Sequence, residues 1–154
     1  MTMNVLGHGL STAGHHADAL PVKEAQLSME RRIGASEHNI LVTQTNIANT
    51  NRCLGRLDKA SRMQRDVYWG RLKLNGEEHL ETLRAANNYA KCLVDLKRFE
   101  EAKVLMRNAI PVARRVLGES HDLIKMRINY ATALYMDDGA TLDDLREAVA
   151  PSSM

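Results

Sequence analysis

Past the middle of the chain, the apolar residues fall at Phe99, Ala102, Leu105, Met106, Ala109 and Ile110. Steps of three, three, one, three and one are the spacing of a single face of an α-helix. Small residues keep two further registers. Gly7, Ala48, Ala90 and Ala131 recur at intervals of 41, 42 and 41, and Ala19, Ala60 and Ala102 follow the first three by 12 each time. A short side chain at a fixed place in two successive helices lets their backbones approach and their ridges settle into grooves. Between the two small positions stand Gly14-His15-His16, Gly55-Arg56-Leu57 and Lys97-Arg98-Phe99, which read as short turns. Glycine just past a helix end takes the left-handed conformation at no steric cost, so Lys97, in the same register, predicts a weaker cap. A longer turn recurs as Ile33-Gly34-Ala35-Ser36-Glu37-His38, Asn75-Gly76-Glu77-Glu78-His79 and Leu117-Gly118-Glu119-Ser120-His121, its glycines 42 residues apart. The pattern predicts a unit of helix A, short turn, helix B and longer turn.

A period of this length marks stacked supersecondary units, each burying its apolar face on its neighbours and together offering an extended surface to a partner. The expected fold class is all-α, an α-α superhelix of antiparallel helix pairs. It forms one domain over residues 1–150, with repeats near 1–34, 35–76, 77–118 and 119–150, the first and last incomplete. The first repeat lacks the start of its helix A. The fourth departs after Gly139, where Ala140-Thr141-Leu142-Asp143-Asp144-Leu145 carries an insertion, and its helix B stops at Ala150-Pro151. Solenoids usually close on polar capping repeats. Neither end has that character, so the sequence reads as a fragment of a longer array, with self-association through uncapped ends as the alternative.

The Asn-Leu-Gly/Ala core, the Gly-Arg turn and the Glu-Ala opening of helix B resemble tetratricopeptide repeats. The 42-residue period and the Leu-Gly-x-x-His phrase resemble the kinesin light chain subtype, and Asn87 to His121 is the stretch most like it. The resemblance implies a scaffold that holds a peptide segment on the concave side of its helices A. It also implies which residues face that side, namely those three before, one after, and four or five after the small position. These are Thr45, Asn49, Arg52 and Cys53 in the second repeat, and Asn87, Lys91, Val94 and Asp95 in the third. In the fourth they are Ile128, Thr132, Tyr135 and Met136, and in the first Asn4, His8, Ser11 and Thr12. The mixed polar face, with cations at Arg52 and Lys91, suits an acidic or carboxyl-ended peptide held by amides and charge-assisted bonds. The family's Lys-then-Asn carboxylate clamp is absent, since the corresponding pairs are Thr45/Asn49 and Asn87/Lys91.

With 154 residues and 44% apolar content the chain can bury a continuous core, and a net charge of +2 is too mild to imply nucleic acid. Aromatic platforms for stacking bases are missing as well. No run approaches the roughly 20 apolar residues of a membrane span, and no basic segment precedes the short apolar start to make a signal peptide. Cys53 and Cys92 stand alone, as expected of reduced thiols in a cytoplasmic protein.

Three of the six histidines, His38, His79 and His121, recur one repeat apart. That is too distant for one metal ion with bonds near 2 Å, and they read as bonding an adjacent helix end. His15-His16 lacks a third ligand. Asn46, Asn88 and Asn129 share one register in helix A, at a cost in helix propensity. They read either as a structural hydrogen bond between helices or as an amide ladder for an extended peptide. Thr43 to Asn51 is dense in poor helix formers, and Asn51 stands where the resemblance implies a large apolar residue. The basic residues Arg31-Arg32, Arg62, Arg65, Arg71, Lys73 and Arg114-Arg115 read as a solvated outer face, Tyr68-Trp69 as packing between repeats, and Pro111 as a kink near Asn108. Nothing has the spacing of a nucleophile with its base, a phosphate loop or a carboxylate pair. The expectation is therefore a protein that is not an enzyme and needs no cofactor or metal. It binds a protein or peptide through Thr45, Asn49, Arg52, Asn87, Lys91, Asp95, Thr132 and Tyr135. A regulatory piece of a larger signalling protein or enzyme, or an RNA-binding repeat, are the rival readings.

Overall fold

The computed structural model describes residues 15–137, 141–143 and 146. Their helices are α1 (His16–Arg32), α2 (Glu37–Cys53), α3 (Leu57–Asn75), α4 (Leu80–Asp95), α5 (Phe99–Leu117) and α6 (His121–Met136), and no strand occurs among the described residues. The expected helices A and B thus alternate from α1 onward. Gly7, Gly14, Gly139, Ala150-Pro151 and the groove residues Asn4, His8, Ser11 and Thr12 lie outside the described residues. Two compact units divide the chain, residues 1–70 and 71–154, and the division falls within α3.

In the first unit, Leu20, Leu27 and Ile47 form the apolar core, with Ile40, Leu54 and Met63 against it. The small register behaves as expected: Ala19, Ala48 and Ala60 are 0% exposed. At Gly70 a Cβ would stand 2.7 Å from Leu41 Cδ2, so glycine is what lets α2 press this side chain onto α3. The interior is also polar. Lys23 Nζ donates to Thr50 Oγ1 at 2.7 Å, joining α1 to α2, and burial lowers the Lys23 pKa. Glu30 Oε1 accepts from both Gln26 Nε2 (2.8 Å) and Thr43 Oγ1 (3.0 Å).

The poor helix formers of α2 find partners within their own helix. Thr45 Oγ1, Thr50 Oγ1 and Asn51 Nδ2 each donate to the carbonyl four residues back, at 2.8, 2.9 and 3.0 Å. Asn51 is wholly buried and its Oδ1 has no partner. Packing therefore overrides propensity here, and the cost is one unsatisfied carbonyl.

In the second unit Leu93, Ala102 and Ala133 form the centre, lined by Tyr89, Val94, Phe99 and Leu105. Helix α4 packs on α5 and α6, and α5 on α6. Ala90 and Ala102 are fully buried, whereas Ala131 is half-buried. Helix α5 runs unbroken through Pro111. Lys103 Nζ reaches Asp137 Oδ2 at 2.6 Å and Glu100 Oε2 at 2.7 Å, and these bonds raise its pKa, Asp137 contributing most. Arg107 Nε donates to Tyr130 Oη at 2.8 Å.

Both short turns close alike. Gly55 (φ 76°) donates to Arg52 O at 3.0 Å and Arg56 to Asn51 O at 2.9 Å; Lys97 (φ 60°) donates to Val94 O and Arg98 to Leu93 O, each at 2.9 Å. This is the Schellman closure, and Lys97 enters the left-handed region to make it.

Two expectations are corrected, at Arg71 and Trp69, and one is met in part: His79 Nδ1 accepts from Glu81 N at 3.1 Å and so caps the helix that begins beside it, while Ser36 and Ser120 cap α2 and α6. Both residue types carry the acceptor that a helix start needs. Arg71, read as solvated, is buried, with its guanidinium 3.9 Å from Glu81 and its carbonyl accepting from Thr82 Oγ1. Trp69, read as packed between repeats, is 58% exposed, its ring 5.6 Å from that of Tyr68.

Candidate peptide-binding site

Within the second unit, α4 and α6 enclose a cavity of about 410 Å³ lined by Leu83, Arg84, Asn87, Asn88, Lys91, His121, Asp122, Lys125 and Met126. The spacing explains the grouping. Leu83, Asn87 and Lys91 rise along one face of α4 at steps of four, as do His121 with Lys125, and Asp122 with Met126, on α6. The floor is apolar, since Leu83 and Met126 are buried.

The charges divide into two kinds. Arg84 bridges the helices, donating from Nε and Nη2 to Oδ1 and Oδ2 of Asp122, both at 3.2 Å, and from Nη1 to Glu81 at 3.2 Å. The bond to Asp122 is the main cause of its raised pKa. A forked pair of this kind fixes the helices but offers a ligand little net charge. Lys91 and Lys125 are exposed and make no ion pair with the described residues, so two ammonium groups stand over the apolar floor. The amide of Asn87 is engaged across the helices: Asn129 Nδ2 donates to its Oδ1 at 2.6 Å. The structural role weighed for the asparagine register is therefore seen at Asn129.

Of the eight predicted groove residues, the structure brings Asn87 and Lys91 together at this cavity. Asp95, Thr132 and Tyr135 lie farther along α4 and α6, outside its lining. Thr132 Oγ1 donates to Ile128 O at 2.8 Å, and Tyr135 is 79% exposed. Thr45, Asn49 and Arg52 are on α2 in the first unit. There the Thr45 hydroxyl bonds Leu41 O and Asn49 Oδ1 accepts from Gln64 Nε2 at 2.9 Å, while Arg52 is half-buried. Sequence reasoning missed Arg84, His121, Asp122 and Lys125. The available signal was the helical spacing of His121 and Lys125 directly after the recurring glycine phrase.

Among the described residues, no group of three or more His, Cys, Asp or Glu side chains is placed to hold a metal ion. No described helix is long and apolar enough to cross a membrane. Cys53 is exposed and Cys92 buried, both as free thiols.

The profile of the tetratricopeptide repeat family matches residues 40–81 and 82–122, more than half of the chain. The chain belongs to the tetratricopeptide repeat family. Solved structures of other repeat proteins give the same fold. One is a singly substituted form of a protein of Podosopora anserina described as having kinesin light chain, nearly identical TPR-like repeats. It is 21% identical at a TM-score of 0.82, over 96% of this chain and 68% of that one. A second structure of those repeats is 17% identical at a TM-score of 0.75, over 87% and 69%. BtubC (BKLC) from P. vanneervenii is 17% identical at a TM-score of 0.67, over 95% and 67%. No curated protein matches the chain.

Proposed function

We propose that this chain is a non-catalytic interaction adaptor that captures an acidic peptide segment against α4 and α6. One observation carries the reading. Lys91 and Lys125 stand without a carboxylate partner among the described residues, over the buried floor of Leu83 and Met126 and beside the amide of Asn87. Two unneutralised ammonium groups over an apolar floor favour a ligand with carboxylates on a partly apolar body, and the cavity volume lies in the range that holds small ligands or a few residues. Asn87 and Lys91 act as direct contacts, with Asp95, Thr132 and Tyr135 farther along the same two helices. In the first unit α2 offers its equivalent face through Thr45, Asn49 and Arg52. The repeat fold serves typically as a protein-interaction scaffold, which supports this class of function over catalysis.

The test is the affinity of a fluorescent, N-acetylated peptide of alternating Glu and Gly, measured by anisotropy. The Lys91→Glu/Lys125→Glu double variant is expected to bind about 30-fold more weakly or worse, and wild-type affinity should fall as salt screens the two ammonium groups. Equal affinity in the double variant, with its melting temperature unchanged, sinks the reading.

A further inference from the structure

We infer that Asn129 is a positioning residue for this cavity, an inference that rests on the peptide-capture reading. A primary amide presents an oxygen that accepts and an amino group that donates. Asn129 Nδ2 donates to Asn87 Oδ1 at 2.6 Å, so the Asn87 oxygen is turned toward α6 and occupied. What Asn87 has left is its amino group, which makes no further hydrogen bond with the described residues. Asn87 lines the cavity; Asn129 does not. One side chain outside the cavity thus sets the hydrogen-bonding sense of one inside it.

The consequence is a selectivity for acceptors. Lys91 and Lys125 can only donate as ammonium groups, and both Asp122 oxygens are taken by Arg84. With the Asn87 amino group added, this wall meets a ligand with donors on both helices. A backbone carbonyl or a carboxylate finds partners there; an amine or an amide N–H directed at Asn87, Lys91 and Lys125 does not, and desolvating it unpaired is costly, so that the Asn88 amide and His121 are left as the acceptors of the lining. Without Asn129, the Asn87 amide is free to turn over and show its oxygen to the ligand. The Asn129 register then joins the two roles weighed for it, because a hydrogen bond between helices fixes the amide that the peptide meets.

The experiment uses the whole chain, uniformly 15N-labelled, with the same N-acetylated peptide of alternating Glu and Gly. The Asn87 amino signals are expected to shift as the peptide is added while those of Asn129 stay in place, and in the free protein the Asn129 amino protons should exchange more slowly with water. The Asn129→Ala variant is expected to bind about 3- to 10-fold more weakly, the worth of one hydrogen bond, with its melting temperature retained. Because it acts through Asn87, the losses from Asn129→Ala and Asn87→Ala should fall well short of adding in the double variant. Asn129 signals that move in place of those of Asn87, or losses that simply add, overturn this inference alone. A wild-type chain that does not bind the peptide, or binding that survives the double lysine reversal, overturns the capture reading and this inference with it.

Discussion

Lys97 is the only described residue other than glycine with positive φ, at 60°, and it holds the place that Gly55 holds 42 residues earlier. The two turns make the same pair of backbone hydrogen bonds, so they differ chiefly in the presence of a Cβ. For an L-residue the left-handed region costs roughly 1–2 kcal/mol, and glycine removes that cost. Glycine also makes the unfolded chain more flexible, which returns about 0.4–1 kcal/mol. Lys97 is exposed and forms no ion pair among the described residues, so truncating it sacrifices little else. The Lys97→Gly variant should therefore be more stable by about 0.5–1 kcal/mol, a rise of about 1–4 °C in Tm for a chain of this size.

The reverse change isolates the cause. A Cβ at Gly55 would meet nothing within 4 Å, so Gly55→Lys adds backbone strain without a clash and should cost about the same amount. Urea unfolding followed by circular dichroism measures both, and hydrogen exchange at Leu96 to Arg98 locates the gain at its own helix end. A Lys97→Gly chain no more stable than wild type, or a neutral Gly55→Lys, would refute the reasoning. The lysine side chain would then be contributing contacts that offset its strained backbone.

Two other changes test the interior. Asn51→Leu replaces a buried carbonyl that has no partner and should stabilise the first unit by about 1 kcal/mol in the same urea assay; a loss instead would mean that the Asn51 bond to Ile47 O outweighs the unsatisfied oxygen. The two buried lysines carry opposite alkaline signatures. The Lys103 pKa is raised above 10.5 by Asp137 and Glu100, so its contribution is full below pH 10.5 and is lost as pH rises through the folded value. The Lys23 pKa is lowered by burial, so the unfolded chain binds more protons between that value and 10.5, and stability there rises with pH. Lys103→Met should remove the loss and Lys23→Met the rise; urea midpoints across that alkaline range, unchanged by either substitution, would contradict both assignments.

The fold was legible because its constraint is local and repeated. A helix that must lie close to its neighbour needs a small residue at one fixed place, and Ala19, Ala48, Ala60, Ala90 and Ala102 satisfy that with no exposed surface. The long turn was legible as a helix start, but not the atom that caps it, because histidine nitrogen and serine oxygen both accept from a helix N–H. The polar interior was hidden. Arg71 read as a surface residue, and nothing adjacent in sequence marks Gln64 for burial, or Lys23 for burial beneath a threonine 27 positions away. Side chains long enough to be solvated or buried leave that choice to tertiary partners.

The candidate site shows where such reading stops. Counting from the small residue picked out Asn87 and Lys91 on α4, but Lys125 lies six before Ala131, a helical turn beyond the positions that were counted. Charge was the harder quantity. Arg84 and Lys91 are two cations seven residues apart on one helix, alike in sequence, yet Arg84 is spent on Asp122 and Glu81 while Lys91 is not. That difference depends on a carboxylate 38 positions away and on the crossing of α4 with α6. It also settles what each residue can do. Removing Arg84 should loosen the helix pair, since it takes away a fork between two helices and leaves Asp122 unpaired. Reversing Lys91 or Lys125 touches no internal partner, so its effect should fall on the ligand. On the proposed reading, a cavity with Arg84 locked between its helices and with Lys91 and Lys125 unpaired among the described residues would change partner by surface substitution without being refolded.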